Sequence, residues 1–123
     1  MTKKELMQLY YLNREIMNDT EELVELKIKN RTMASEKWSE EAEKIISERE
    51  SEIVEKIRKC TLLRDKIKKF LEGIDDSLTR QIFYYRYDKC MTWRQVASMA
   101  GGYNTEESVR KIAERYLKKH CEG

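Results

Sequence analysis

The sequence predicts an all-α fold, in which an N-terminal antiparallel helical hairpin with coiled-coil-like spacing precedes a three-helix module. Proline is absent and glycine occurs four times in 123 residues, so long runs contain no helix breaker. Charged residues make up 39% of the chain and the mean hydropathy is −0.82, values typical of long helices with much solvated surface. A β-rich fold would need more turn residues. The length suits one domain, or a small domain with a projecting helical element.

The first helix is predicted over about residues 3–30. Apolar residues recur there every seven positions, at Leu9, Ile16 and Leu23. Such spacing is typical of a coiled-coil seam. Asn13 and Thr20 occupy the positions that would complete this seam. We interpret them as tolerated polar residues at its solvent-exposed edge rather than as a polar layer that fixes register.

A second helix is predicted from about Ser39 to Glu72. Its seam also has a period of seven: Ile46, Ile53, Cys60, Ile67 and Ile74. Extending the first seam by sevens gives only polar residues, at Asn30, Lys37 and Lys44. The phase therefore changes between the two helices, where helix-start caps are available at Thr32, Ser35 and Ser39. Two helices of about 30 residues, each ~45 Å long, would fold back as a hairpin, with Met33 and Trp38 stapling the bend.

Three shorter helices are predicted after the hairpin. Gly73 is a candidate C-cap of the second helix, and Asp75, Asp76 or Ser77 can cap the next, over residues 78–89. This gives two segments, 1–73 as an oligomerisation or partner element and 77–123 as the functional module. The inner face of helix 78–89 is predicted to consist of Leu78, Ile82, Phe83 and Arg86.

Thr92 is predicted to cap a helix over residues 93–100, whose inner face is Val96, Ala97 and Ala100. Gly101 and Gly102 supply a turn, because positive φ costs glycine little. Asn104 is predicted to cap the last helix, with Glu107 as its capping-box partner. This last helix, about residues 105–119, is predicted to bury Val109, Ile112, Ala113, Tyr116 and Leu117.

Two helices joined by a short turn, the second with bases on its free face, are typical of a helix-turn-helix that places a helix in the major groove of double-stranded DNA. Residues at the start of such a helix reach bases, and the predicted ones are Thr105, Glu106, Ser108 and Arg110. The residues predicted to meet phosphates are Arg94, Lys111, Arg115, Lys118 and Lys119. The plain alternative is a solvated amphipathic helix with i,i+4 pairs, namely Glu106–Arg110, Glu107–Lys111 and Glu114–Lys118.

The charge distribution favours the same end of the chain. Residues 77–123 hold nine Lys/Arg against five Asp/Glu, a net of +4, and the other 76 residues hold 16 bases and 18 acids, a net of −2. The basic excess therefore lies in the predicted helix-turn-helix, where phosphate contacts would need it.

Other classes of function find little support in the sequence. Cys60, Cys90 and Cys121 are odd in number and form no CxxC, which favours a reducing cytoplasm over a disulfide framework. His120 and Cys121 are adjacent but lack the further ligands that zinc requires. With no nucleophile motif and no phosphate-binding glycine loop, we expect neither an enzyme nor a metal or other cofactor. No apolar run approaches ~18 residues, so no membrane partner is expected, and the first residues lack the apolar stretch of a signal peptide.

The C-terminal residues resemble region 4 of sigma-70-type factors. The resemblance rests on three runs: Arg86-Tyr87, Met91-Thr92-Trp93-Arg94-Gln95-Val96-Ala97, and Ser108-Val109-Arg110-Lys111-Ile112 with Arg115-Tyr116-Leu117. It is closer to small phage and mobile-element proteins of the ArpU/RinA-like late transcription regulator group, which carry such a helix-turn-helix after a helical hairpin. The turn over residues 101–104 is about two residues longer than in sigma factors. A complete sigma factor is excluded because region 2 is missing.

The resemblance implies a prophage-encoded transcriptional regulator with the last helix as its recognition helix. By position, Arg110, Lys111 and Arg115 match the basic residues of that helix, and Arg86 matches the arginine after the apolar run. Two alternatives remain open: a small terminase subunit that packages DNA, and a protein-interaction module that binds RNA polymerase, which sigma region 4 folds can also contact.

A homodimer through the hairpins is also expected. Ile53, Ile57, Ile67 and Leu71 form a row that is too apolar to stay exposed along a ~45 Å helix, so it must pack on the C-terminal module or on a second copy of the hairpin. The short hinge over residues 73–77 lets the module cover only the near end, which favours a second copy. A dimer would also present two recognition helices to two half-sites.

Overall fold

The structure of the protein, a computed structural model, describes residues 1–33 and 40–120, without the side chains at positions 32 and 33. Its five α-helices are α1 (Lys3–Met33), α2 (Glu40–Glu72), α3 (Ser77–Phe83), α4 (Trp93–Ala100) and α5 (Glu106–His120). No strand occurs within the described ranges, so the predicted all-α class is confirmed. The predicted bend caps and staple (Ser35, Trp38, Ser39, and the side chains of Thr32 and Met33) and Cys121 lie outside what is described.

The chain forms two compact units. One consists of Leu12–Thr61, and the other joins Met1–Tyr11 to the chain from Leu62 onward. Both α1 and α2 therefore contribute to both units. The assignment of separate roles to residues 1–73 and 77–123 stays a prediction.

Within the Leu12–Thr61 unit, α1 and α2 run antiparallel. Lys27 Nζ lies 2.6 Å from Glu50 Oε1, and Lys56 Nζ lies 3.3 Å from Glu15 Oε2. The residue numbers of the partners on α1 thus decrease as those on α2 increase, as expected for antiparallel helices. The core of this unit contains Leu23, Ile46 and Ile53, with the half-buried Ile16 and Leu26 packed against it. The seven-residue seams predicted from the sequence therefore face each other here.

Several apolar side chains of the Leu12–Thr61 unit are exposed, and five of them that recur at helical spacing are called the outer apolar face. Its members are 48–65% exposed: Met17, Val24 and Ile28 on α1, and Val54 and Ile57 on α2. Val24 precedes Lys27 by one turn and Val54 follows Glu50 by one turn, so the Lys27–Glu50 ion pair lies between them.

Three of the four residues in the apolar row predicted on the second helix are covered within a single chain. Ile53, Ile67 and Leu71 are 9%, 0% and 7% exposed, and only Ile57 is on the surface. Ile53 and Ile67 lie on the seam with a period of seven, which is covered within the chain itself, and Leu71 is buried one turn after Ile67.

The second unit is built around an aromatic cluster. The Phe83 ring lies 5.3 Å from the rings of both Tyr87 and Tyr116 and 5.8 Å from that of Phe70, between ring centres. The end of α2 is thereby tied to α3 and α5. Other side chains of this unit are 0–1% exposed: Leu6, Leu9, Ile67, Ile74, Ile82, Val96 and Val109.

The beginning of α1 belongs to this second unit. Glu5 Oε2 lies 3.2 Å from Lys66 Nζ, and Met7 Sδ lies 4.0 Å from Arg86 Nη2. The unit that carries α5 is therefore completed by residues from the opposite end of the sequence.

Asp76 is the residue that caps α3. Its carboxylate accepts hydrogen bonds from Thr79 Oγ1 at 2.7 Å and from the Thr79 backbone N–H at 3.0 Å. These two bonds lower the pKa of Asp76. At the preceding boundary, α2 ends at Glu72 and the Gly73 N–H donates to the Phe70 carbonyl at 3.2 Å. Gly73 does not adopt the positive φ of a left-handed cap.

After Phe83 the helix widens into a π-helical turn, Tyr84–Asp88. The Lys89 N–H donates to the Tyr84 carbonyl, five residues back, at 3.0 Å. The sequence predicted one continuous α-helix over residues 78–89. The wider turn coincides with the burial of Tyr87 in the aromatic cluster, which removes its hydroxyl from water and raises its pKa.

Candidate nucleic-acid interface

The short helix α4 starts with a capping box. The Gln95 N–H donates to Thr92 Oγ1 at 3.2 Å, and the Thr92 N–H donates to Gln95 Oε1 at 2.9 Å. Two N–H groups that the helix itself leaves free are thus satisfied. The predicted cap at Thr92 and the predicted helix over residues 93–100 are confirmed. Arg94 is exposed near its start.

The turn between α4 and α5 has a fixed backbone. Gly101 and Gly102 have φ values of 69° and 64°, as the sequence predicted for this pair. The Gly101 N–H donates to the Ala97 carbonyl at 3.2 Å, and Asn104 Nδ2 donates to the Gly101 carbonyl at 3.0 Å. Between these anchors Tyr103 is fully exposed. An aromatic side chain in water is therefore held on an ordered turn.

The cap of α5 differs from the prediction. The Ser108 N–H donates to Thr105 Oγ1 at 3.1 Å, and the Thr105 N–H donates to Ser108 Oγ at 2.8 Å. Thr105 is thus the capping residue, and the predicted cap at Asn104 with Glu107 is wrong. Asn104 bonds back to the turn instead, because its amide reaches the Gly101 carbonyl. The hydroxyls of Thr105 and Ser108, both predicted base contacts, are therefore engaged in the cap.

The inner side of α5 matches the prediction. Val109, Ala113 and Leu117 are buried, and Ile112 and Tyr116 are half-buried. Because these positions recur at three- and four-residue intervals, the rest of the helix faces solvent. The other predicted contact residues on α5 are all exposed: Glu106, Arg110, Lys111, Arg115, Lys118 and Lys119.

Only one of the three i,i+4 ion pairs considered for α5 forms. Lys111 Nζ lies 3.0 Å from Glu107 Oε1. No ion pair joins Glu106 to Arg110 or Glu114 to Lys118 within the described part of the chain. An exposed pair of this kind contributes about 0.3–0.5 kcal/mol to a helix. Among the described residues, Arg110, Arg115, Lys118 and Lys119 thus form no ion pair with an acidic side chain.

One edge of α5 carries three bases in a line, at positions 111, 115 and 119. We call these three residues, Lys111, Arg115 and Lys119, the basic edge. Two shallow grooves meet along it. One is lined by Thr105, Glu107, Ser108, Lys111, Ile112 and Arg115, and the other by Thr79, Ile112, Arg115, Tyr116, Lys119 and His120. Arg115 and Ile112 border both grooves, while Lys111 borders the first and Lys119 the second, so the basic edge contributes to both.

The charges of α5 are unevenly placed along its axis. Glu106 and Glu107 occupy the first turn, and Lys118 and Lys119 occupy the last. This order suits the helix dipole, whose positive end is at the N-terminus. An anion would therefore meet carboxylates at the start of α5 and bases further along it. Close phosphate contacts by charged groups fit the middle and end of the helix better than its start.

The structure gives Arg86 a different position from the solvent-facing bases. Its guanidinium lies 4.5 Å from the centre of the Trp93 ring, and Nη1 donates to the Met91 carbonyl at 2.9 Å. Arg86 thus braces the segment that leads into α4. The sequence placed Arg86 on the inner face but gave no signal of its contact with Trp93, seven residues further along the chain.

Tyr103 was absent from the residues predicted to bind. The sequence feature that could have pointed to Tyr103 is its position. An aromatic residue that follows two turn glycines and precedes a helix cap has no neighbouring residue to pack against.

No cluster of three or more potential metal ligands occurs among the residues described, and none of the described helices is long and apolar enough to cross a membrane. Comparisons of the chain with protein-family models, with curated proteins and with solved structures found no match. The resemblance to the sigma-like regulators stays a prediction.

Proposed function

We propose that this protein is a sequence-specific DNA-binding transcriptional regulator of phage or mobile-element origin, with α5 lying in the major groove. The observation that carries the proposal is the basic edge on the solvent side of α5, which follows α4 after a turn whose backbone and helix caps are hydrogen-bonded. The proposal includes the arrangement predicted from the sequence, a hairpin followed by a helix-turn-helix of α3, α4 and α5. In that arrangement the basic edge would face a DNA duplex.

In this proposal the residues have separate tasks. Arg110, exposed near the start of α5, bonds a guanine bidentately through O6 and N7. The basic edge, together with Arg94 and Lys118, meets phosphates and fixes the position of the helix. Thr105 and Ser108 act first as the cap of α5, so their contribution to base recognition is smaller than the sequence suggested.

The proposal predicts a strong dependence of affinity on salt. Each phosphate neutralised by Lys or Arg releases counterions, and five contacts give a slope of log K against log salt of about −4 to −5. A duplex recovered by selection from genomic fragments serves as the specific site, and a scrambled duplex of equal length serves as the reference.

Three variants test the assignment. Arg110→Ala should lower affinity for the specific duplex by about 1–3 kcal/mol and relax the preference at one base pair. Lys118→Ala should weaken binding to both duplexes alike and reduce the salt slope by about one. Lys59→Ala, an exposed lysine of the Leu12–Thr61 unit, is the matched control and should change neither. Equal loss on both duplexes for Arg110→Ala and Lys118→Ala would contradict the separate tasks.

The same measurements separate the alternatives. No binding to any duplex at ~50 mM salt would favour a protein-interaction module such as a polymerase-binding factor, since electrostatic binding is strongest at low salt. A ring-shaped oligomer seen by native mass spectrometry would favour a small terminase subunit.

A homodimer stays part of the proposal, now through the outer apolar face rather than through the row predicted from the sequence. Its five members leave on the order of 500 Å² uncovered per chain, and two such faces approach about 1,000 Å², the lower bound for a specific interface. A second copy fits the function, because paired recognition helices read paired half-sites.

A further inference from the structure

We propose that Tyr103 anchors the start of α5 to the DNA backbone, by donating a hydrogen bond from its phenol to a phosphate oxygen at the rim of the groove. The inference rests on the proposed function and adds a contact that the sequence did not predict. Tyrosine hydroxyls are among the neutral groups that bond phosphates in protein–DNA complexes.

The first support is the way in which Tyr103 is presented. The side chain is fully exposed, and it makes no hydrogen bond and no ring contact with any described residue. Its backbone is nevertheless fixed, because Gly101 and Asn104 on either side are hydrogen-bonded to each other and Gly101 to the end of α4. Little backbone entropy is then lost when the phenol is immobilised by a partner.

The second support is position. Tyr103 lies two residues before Thr105, the cap of α5. If the first turns of α5 face the bases, the residues just before the cap lie where the chain crosses the rim of the groove, beside the phosphates.

The third support is the chemistry of the neighbours, whose polar side chains are already held in the cap of α5 and in the turn. The hydroxyls of Thr105 and Ser108 form the cap, and the Asn104 amide is bonded to Gly101. Glu106 and Glu107 would repel a phosphate. The Tyr103 phenol, in contrast, takes part in no bond of the cap or the turn, so it can turn towards a phosphate without any change in either.

The experiment compares Tyr103→Phe and Tyr103→Ala with the wild-type chain on the specific duplex over a range of salt concentrations. Tyr103→Phe removes the donor alone, so we expect about a three- to tenfold loss of affinity. We expect the same loss for Tyr103→Ala. The salt slope should stay that of the wild type for both, because a neutral donor releases no counterion. Tyr11→Phe, at another exposed tyrosine, is the control and should bind as the wild type does.

Phosphate ethylation interference locates the contact. The wild-type chain should show one sensitive phosphate that becomes insensitive in Tyr103→Phe, with all others unchanged. Wild-type affinity in Tyr103→Phe but weak binding in Tyr103→Ala would mean a ring contact and overturn the phosphate bond. Wild-type affinity in both variants would remove Tyr103 from the interface while leaving the proposed function intact. Absence of DNA binding by the wild-type chain would overturn both proposals, and unchanged thermal unfolding of the variants excludes loss of fold.

Discussion

Arg86 and Trp93 form a stacked pair across the turn that precedes α4, with the guanidinium 4.5 Å from the ring centre. The same guanidinium donates to the Met91 carbonyl at 2.9 Å. Between the π-helical turn and α4, Cys90 adopts a φ of 57°, a left-handed conformation that few residues other than glycine favour. The Arg86 contacts therefore stabilise a turn whose backbone is strained, and the direction of α4 depends on them.

We expect Arg86→Lys to destabilise the protein by about 1–2 kcal/mol. Lysine keeps the charge but loses both the planar stacking on Trp93 and the directed bond to Met91. Urea unfolding followed by Trp fluorescence measures the change. Arg94→Lys, on the exposed side of α4, should have an unfolding midpoint equal to that of the wild type. Equal stability of Arg86→Lys and wild type would mean that charge alone matters at position 86.

Thr92 offers a test of the capping box. We expect Thr92→Ala to lower the free energy of unfolding by about 1 kcal/mol, because the Gln95 N–H loses its acceptor at the start of α4. Thr92→Ser retains the hydroxyl and should stay close to the wild type. A similar loss for serine and alanine would show that the threonine methyl group, and not the hydroxyl, stabilises this helix.

Val109 tests the register of α5. Its side chain is 0% exposed, so Val109→Asp would bury an uncompensated carboxylate at a cost of about 3 kcal/mol or more. We expect loss of the cooperative unfolding transition and of specific DNA binding together. The neighbouring Arg110→Asp introduces the same side chain on the exposed side and should keep the transition. An unchanged transition in Val109→Asp would contradict the burial described for α5.

The outer apolar face predicts the effect of a charge on assembly. Val54 is 65% exposed, so Val54→Glu should leave the chain folded but shift light scattering at micromolar concentration from dimer to monomer. Leu62→Glu, at an exposed leucine outside this face, should leave the mass unchanged. If the wild-type chain already scatters as a monomer, the dimer and its paired half-sites are refuted, while DNA binding by one α5 helix stands.

Asp76 predicts how stability depends on pH. Its pKa is lowered first by the hydrogen bond from Thr79 Oγ1 and then by that from the Thr79 N–H. A carboxyl whose pKa is depressed in the folded state contributes stability above its unfolded pKa of about 4, and this is lost as the pH falls through the folded value. The unfolding midpoint of the wild type should exceed that of Asp76→Asn at pH 7, and the difference should shrink below pH 4. A constant difference would mean that the charge of Asp76 plays no part.

Much of the fold could be predicted because its signals are local. Caps such as Thr92 and turn glycines such as Gly101 act on the next few residues, and their neighbours in sequence suffice to place them. The same reasoning failed at Asn104, since Thr105 beside it is an equally good cap and the choice depends on the reach of the Asn104 amide to Gly101.

Structural features that depend on residues distant in the sequence could not be predicted from it. The sequence predicted that Ile67 and Leu71 pack against a partner but not whether that partner lies in the same chain, and the π turn uses residues that an α-helix would also accept. For the candidate site, the helix, its inner face and its exposed bases followed from periodicity. The engagement of Ser108 in the cap did not, because a serine near a helix start serves equally well as a base contact or as a capping partner.

Met7 and Arg86 meet across 79 positions of the chain, in the unit that also contains α5. Loop closure of that length opposes folding by an entropy that grows slowly with loop size, while each helix on its own forms in microseconds or less. The high contact order of this unit, rather than helix formation, is therefore expected to set its folding rate. During synthesis on the ribosome, the first helix is made long before α3, α4 and α5 emerge. On the proposed function, DNA binding would then have to wait until α5 is made and has packed with the first helix.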